Sequence, residues 1–318
     1  MFTNYRYAYT LYKMGSFTKA AEALYISQPA LSTAIGNLEK ELGAPLFERT
    51  GRGVRLTRIG EAYIAAAQQI IDLENDLKAQ ISDVNSLEAG SITVGGSNYI
   101  SSYVLPKIIN RFSSQHPGVE VTIREANSCT LLELLEKDQV DVILDNVDNT
   151  GAYQCNPLTR ERILLCVPKD RPLNQALIPY QISPEQIYEG TWDPERIPTV
   201  PLDAFREERF VLLKQGNDMR SRAMHILAEA NLTPTVAFQV DQLNIAFALS
   251  ASGMGCCFIT DTFFRHARFR EDVVLYSLGA DCHRSLCVAR KRSRYCTKAM
   301  QAFMDAALEE FKEDPMRM

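Results

Sequence analysis

Long apolar runs are missing from this chain of 318 residues. Nothing in it approaches the ~20 consecutive apolar residues of a membrane-spanning helix, and the first residues lack the apolar segment of a secretory signal. No membrane partner is expected. Histidine is scarce: His116, His225, His266 and His283 are the only four, and they lie far apart. H-E-x-x-H, the phosphate loop, G-x-S-x-G and the dinucleotide fingerprint are all absent. The expectation is a chain that is not an enzyme and holds no cofactor. Cys282-His283 with Cys287 matches no common zinc spacing, so no metal is expected. The eight cysteines, Cys129, Cys155, Cys166, Cys256, Cys257, Cys282, Cys287 and Cys296, include no C-x-x-C pair. Several sit in apolar, strand-like runs. They read as free thiols of a reducing cytoplasm.

Charge is present, and it is unevenly placed. The net charge is −5, which argues against a globally basic nucleic-acid binder. Residues 1–58 nevertheless carry eight Lys and Arg against four Asp and Glu, or +4, which leaves −9 on the remainder. A basic end on an acidic body suits one docking face for phosphates.

That basic end has a readable pattern. Met1 to Met14 is expected to be a first helix. Thr18 to Leu24 places Ala20, Ala21 and Leu24 at helical spacing. After a break at Tyr25-Ile26, Ser27 is a good N-cap and Pro29 falls in the first turn, where a missing N–H costs nothing. Gln28 to Leu42 then buries Leu31, Ile35, Leu38 and Leu42, and Gly43 ends the helix. The opposite face is slim and polar: Gln28, Ser32, Thr33 and Asn37. Glutamine can read adenine edges, and hydroxyls can hold phosphates. Helical spacing alone fits an ordinary hairpin with a solvated face equally well. The following segment changes this. Glu48 to Arg58 reads as a hairpin around Gly51-Arg52-Gly53, with Arg49, Arg52, Arg55 and Arg58 along it. A basic hairpin directly after a helix-turn-helix is a wing, and its arginines suit phosphate or a narrow minor groove. The expected partner is double-stranded DNA.

These residues resemble the LysR-type transcriptional regulators. The resemblance is carried by Ser16-Phe17-Thr18, Ala20-Ala21, Ser27-Gln28-Pro29-Ala30-Leu31-Ser32, Ile35, Leu38-Glu39, Leu42-Gly43, Pro45-Leu46-Phe47-Glu48-Arg49 and Leu56-Thr57. It implies a winged helix-turn-helix (1–58), a linker and dimerisation helix (59–88), and an effector-binding domain (89–318). It also implies DNA contacts from Ser27, Gln28, Pro29, Ser32, Thr33, Asn37, Arg49, Arg52 and Arg55. Two positions depart from the family. Ala34 stands where a polar or long side chain is common, and Gly36 where a basic one is. Fewer DNA contacts are implied.

Thr57 is expected to cap a helix running to about Ser86. Tyr63, Ala67, Ile70, Leu73, Leu77, Ile81 and Val84 form its apolar stripe. The stripe suits a two-helix seam that fixes the spacing of two recognition helices, or packing on the chain's own body. The body alternates strand and helix: Ser91–Gly96, Tyr103–Phe112, Val119–Glu125, Leu131–Glu136, Val140–Leu144, then Arg162–Val167, Phe210–Leu213, Met219–Ala230, Thr235–Val240, Leu243–Ser252 and Cys256–Ile259, with a return through Val273–Leu278, Ser285–Ala289 and Thr297–Lys312. This α/β order predicts two lobes (about 89–161 with 265–318, and about 162–264) around a hinged cleft. The arrangement resembles the family's effector-binding domain, itself similar to periplasmic solute-binding proteins. Ala251-Ser252-Gly253-Met254-Gly255 carries that likeness, and Thr260 stands where the family usually has proline.

Ligands in such sheets bind beyond the carboxyl ends of strands, near helix N-termini. That places Ser97, Asn98, Asn127, Ser128, Thr130 and Asp145 at one mouth, with Gly216 and Asn217 facing them. Each polar residue could instead merely cap its helix. The expected effector is small and polar or acidic. A thiol-based redox switch on the same scaffold, with Cys129 at the cleft, is the alternative. Half of the 14 prolines lie between Pro168 and Pro201. This stretch, which includes Trp192, reads as an insertion over Tyr180–Val200 forming a structured loop beside the cleft. Homodimer and homotetramer both fit the sequence, with the tetramer usual in the family.

Overall fold

The structure, a computed structural model, describes residues 4–50, 53–84, 90–147, 151–193, 196–267 and 272–312. The chain divides into two compact units, Met1–Val84 and Asn85–Met318.

In the first unit, α1 (Tyr5–Met14), α2 (Phe17–Ala23) and α3 (Gln28–Leu42) are followed by the strands β1 (Phe47–Thr50) and β2 (Gly53–Leu56) and by the long α4 (Arg58–Val84). The predicted punctuation is realised. Ser27 accepts the Ala30 amide at 3.3 Å, and Gly15 and Gly43 close α1 and α3 in the left-handed conformation. Ala8, Leu11, Ala20, Ala21, Leu31, Ile35, Leu38, Leu46 and Ile64 form the core of this unit. Small side chains on α2 let α3 cross it closely. β1 and β2 pair antiparallel, from Phe47↔Leu56 to Thr50↔Gly53, as a hairpin. Residues 51–52 at its tip lie outside the described residues, as do residues 85–89 at the expected end of the linker.

The second unit opens with β3 (Gly90–Gly96), a short π-helical turn (Ile100–Val104), α5 (Leu105–Gln115), β4 (Val119–Glu125), α6 (Ser128–Glu136) and β5 (Val142–Asp145). These strands are parallel, in the order β4-β3-β5. The long β6 (Tyr153–Pro168) carries the chain into the second lobe. There follow α7 (Leu173–Ala176), β7 (Gln181–Ile182), α8 (Pro184–Tyr188), β8 (Arg209–Leu213), α9 (Asp218–Glu229), β9 (Thr235–Val240), α10 (Leu243–Ala251), β10 (Cys257–Thr260), α11 (Asp261–Ala267) and β11 (Val273–Ser277). The chain returns through β12 (His283–Lys291) and closes with α12 (Lys298–Glu310).

β6 joins the two lobes. Its first half pairs with β12, and its second half pairs with β10 and β11. This corrects two expectations. The strand expected at Arg162 begins nine residues earlier. The second crossing between lobes was expected at 264/265, but β11 still belongs to the second lobe, because it pairs with Leu164–Pro168. The return therefore falls between Ser277 and His283.

The proline-rich segment does not border the interlobe cavity. β7 pairs with β11, Ser183 and Gln186 form a capping box at α8, and Trp192 is buried. Thr199, Val200 and Leu202 line a separate cavity of about 520 Å³ with Ile226 and Leu278. The segment is the finished edge of the second lobe, held by its apolar side chains.

Candidate functional site

Two clamps fix the winged unit. Glu39 Oε1, on α3, accepts the Leu46 and Phe47 amides at 2.7 and 3.0 Å, tying the root of the hairpin to the helix end. The Thr57 hydroxyl donates to Pro45 O at 2.7 Å and accepts the Gly60 amide at 2.9 Å, as the predicted cap of α4. A Cβ at Gly60 would lie 2.0 Å from Leu46 O, so only glycine allows α4 to start so close to the hairpin. Gln28, Pro29, Thr33 and Asn37 are exposed along one side of α3, with Ser27 exposed at its cap and Ser32 half-buried. Gly36 shares that side, and a Cβ there would meet nothing within 4 Å. On the hairpin, Arg49 faces Val54 in the ladder and the exposed Arg55 faces Glu48. Arg52 lies outside the described residues.

In the second unit, the carboxyl ends of β3, β4 and β5 face those of β8 and β9 across a cavity of about 220 Å³. Ser97, Asn98, Asn127, Ser128, Asp145 and Asn217 line it, as expected. Thr130 and Gly216 do not. Thr130 is exposed and contributes only its amide, which Asn127 caps at 2.9 Å. Gly216 instead accepts the Cys129 amide across the cleft at 3.2 Å. Capping also claims Asn217, whose oxygen takes the Met219 amide at 3.2 Å. Both asparagines therefore cap a helix and line the cavity.

The cavity is closed by bonds between lobes. Gln242 donates to Glu125 at 3.1 Å, and Arg222 donates to Asn146 at 2.7 Å. A buried charge network lies beneath it. Arg284 Nε donates to Glu161 at 2.7 Å and Nη1 to Asp218 at 3.1 Å, while Thr260 donates to Glu161 at 3.3 Å. Burial works against the Arg284 charge, but Glu161, Asp218 and Asp145 together hold its pKa above the ordinary value. Asp145, at the end of β5, is buried; this pushes its carboxyl up to about 6, against the opposing pull of Arg284 and Ser128. Asp261 is pushed up to about 7, by burial and then by Glu161. Arg284, Glu161 and Arg222 were not among the expected site residues. Glu161 stands between Arg160 and Arg162 and Arg222 sits in a polar stretch of α9, so neither stood out in the sequence.

Residues 2–61 match the family described as "Bacterial regulatory helix-turn-helix protein, lysR family", and residues 85–192 and 194–312 match "LysR substrate binding domain". The chain belongs to the LysR family of transcriptional regulators. It is 31% identical to YcgK, an uncharacterized HTH-type transcriptional regulator of Bacillus subtilis, over 96% of this chain and 94% of the relative. It is 28% identical to a probable RuBisCO transcriptional regulator of Synechocystis, over 95% of this chain and 84% of the relative. Among solved structures, full-length OxyR from Pseudomonas aeruginosa superposes with a TM-score of 0.64 at 23% identity, covering 96% and 94% of the two chains. CbnR complexed with its target DNA superposes with a TM-score of 0.57 at 18% identity, covering 97% and 99%.

For a LysR-family chain, Thr260 is informative. Its hydroxyl donates to Glu161 and accepts the Phe263 amide at 3.1 Å, so it both caps α11 and steadies the buried carboxylate. A proline at that position could supply neither bond. No helix among the described residues is long and apolar enough to cross a membrane.

Proposed function

We propose that this LysR-type regulator reads DNA with the exposed side of α3 and is controlled by a small polar or acidic effector held between its lobes. The cavity closed between the carboxyl ends of the two strand sets carries this reading. Each lobe supplies hydrogen-bonding groups to one enclosed space, and an effector with different affinity for the open and closed arrangements shifts the balance between them. Ser27, Gln28, Pro29, Ser32, Thr33 and Asn37 are assigned to the DNA major groove and its flanking phosphates. Arg49, Arg52 and Arg55 are assigned to the backbone or a narrow minor groove. A homodimer, or a tetramer built from it, places two such helices on two half-sites.

A thiol switch is the weaker reading. Burial pushes the Cys256 and Cys257 thiols well up, and Cys282 up to about 11, which works against the thiolate that redox sensing needs. Cys129 is exposed. A Cys129→Ser chain that keeps its response removes it as the sensor.

DNase footprinting upstream of the protein's own gene, beside a Gln28→Ala, Ser32→Ala variant, tests the first half of the reading. Protection by the unaltered chain and its loss in the variant support it, and the length of the footprint gives the half-site spacing. Equal protection by both chains would overturn the assignment of α3.

A further inference from the structure

The cavity lining combines three carboxylates, Glu125, Asp145 and Asp241, with one guanidinium, Arg284. Arg284 is already engaged by Glu161 and Asp218. An anion entering here would therefore meet no uncommitted cation among the described residues of the lining. The N-termini of α6, α9 and α10, the usual alternative for anions, are each partly taken. On α6 the Cys129 amide goes to Gly216 O and the Thr130 amide to Asn127. On α9 the Met219 amide goes to Asn217, and on α10 the Ile245 amide goes to Asn244.

Acceptors are in the opposite position. Asp145 is 4% exposed; its Oδ1 takes the Asn146 amide at 2.8 Å, and its Oδ2 is buried with no hydrogen-bond partner among the described residues. Asn98 Oδ1, in the same lining, is also buried and without a partner among the described residues. A carboxylate oxygen held out of water with nothing to accept is costly unless a donor arrives. At the rim, Glu125 is held by Gln242, and Asp241 is paired with Lys214 at 2.7 Å. Asp145 is thus the carboxylate at the floor that still has an oxygen to offer, although Arg284 and Ser128 both draw on its charge. The space, about 220 Å³, is below the roughly 300–1,000 Å³ of drug-sized sites, so the occupant is a small metabolite.

We propose that the effector is a small organic cation, an amine or guanidinium compound, whose charged nitrogen donates to Asp145 Oδ2. The proposal rests on the cleft being the effector site. It discards the acidic ligand that the sequence left open and keeps the polar one.

Calorimetric titration of the full chain with probes built on a four-carbon chain tests it: 1,4-diaminobutane, 1-guanidinobutane, succinate and butane-1,4-diol. A cationic probe should bind at least about tenfold more tightly than the diacid or the diol, and Asp145→Asn should weaken it by at least about tenfold. Should Asp145→Asn fail to fold, the unaltered chain decides through proton linkage. Arg284, Asp218 and Ser128 face Asp145, with Glu125 and Asp241 at the rim, and protonating Asp145 should weaken cation binding by about tenfold between pH 7 and pH 5. Succinate or the diol binding more tightly, with that binding abolished by a cavity-filling Ser128→Trp, overturns the charge class and leaves the cleft reading standing. Failure of both cations to bind overturns the proposal. If Ser128→Trp also leaves the response of footprinted protein to cell metabolites unchanged, the cleft reading falls with it.

Discussion

Arg284 and Glu161 form an ion pair at 2.7 Å, with side chains 8% and 0% exposed. One lies on β12 and the other on β6, 123 positions apart, at the strands that join the lobes. Removing one partner leaves the other charge buried without compensation, at a cost of about 3–5 kcal/mol. Arg284→Met is therefore expected to destabilise the second unit by about that amount in urea unfolding. A loss below about 1 kcal/mol would show that Thr260 and Tyr99 suffice to hold Glu161.

Asp145 gives a pH dependence of definite sign. Its folded value, about 6, lies above the ordinary 3.8, so the native state keeps a proton that the unfolded state has released. Below both values the carboxyl is protonated in either state and has no effect. Between them stability falls as pH rises, and above about 6 the full penalty of about 2–3 kcal/mol is in place. Asp145→Asn should remove that penalty. At pH 7 the variant is expected to be the more stable chain, with the difference vanishing toward pH 4. Asp261 adds a similar slope, but it is common to both chains and cancels in the comparison. If the proposal for an organic cation holds, the same variant gains stability while losing its ligand.

These two residues show where sequence reading stops. Asp145 was legible because it ends an apolar strand, and parallel sheets bind at that end. Arg284 and Glu161 were not, because their meaning is the distance between them, set by the register of β12 on β6. The early start of β6 was hidden by Pro157, which usually argues against a central strand. It is tolerated here because the ladder is irregular there, with the register shifting between Leu286 and Cys287 opposite it. By contrast, α3 was readable end to end. Ser27, Pro29, Gly43 and the spacing of Leu31, Ile35 and Leu38 are local signals, and they agree with the packing. Thr130 misled because it lies in the first turn of α6, where Asn127 takes its amide and its own side chain is exposed.

Gly36 sits in mid-helix on the exposed side of α3, and a methyl group there meets nothing. Gly36→Ala should stabilise the winged unit by about 1 kcal/mol in thermal unfolding. The same variant probes the assigned DNA surface. If that side of α3 enters the groove tightly, binding to the footprinted site weakens although the protein is more stable. Stability and affinity rising together would place position 36 away from the DNA.

The stripe on α4 divides in two. Tyr63 is half-buried against the winged unit's own core and Ala67 is buried, whereas Leu73, Leu77 and Ile81 are 68%, 57% and 60% exposed in the single chain. Three large aliphatic side chains at four-residue spacing on one helix form a face that a second helix can cover, each contributing about 1.5–3 kcal/mol when fully buried. Leu73→Glu with Leu77→Glu replaces two of them with like charges. Sedimentation equilibrium at micromolar concentration should then show a tetramer reduced to smaller assemblies, or a dimer reduced to monomer, with the helix content of the winged unit retained. Asn75→Glu adds the same charge on the opposite side of the helix, where Asn75 is exposed, and should leave the mass unchanged. If the double variant also keeps its mass, α4 is not the seam, and another surface must set the spacing of the two α3 helices.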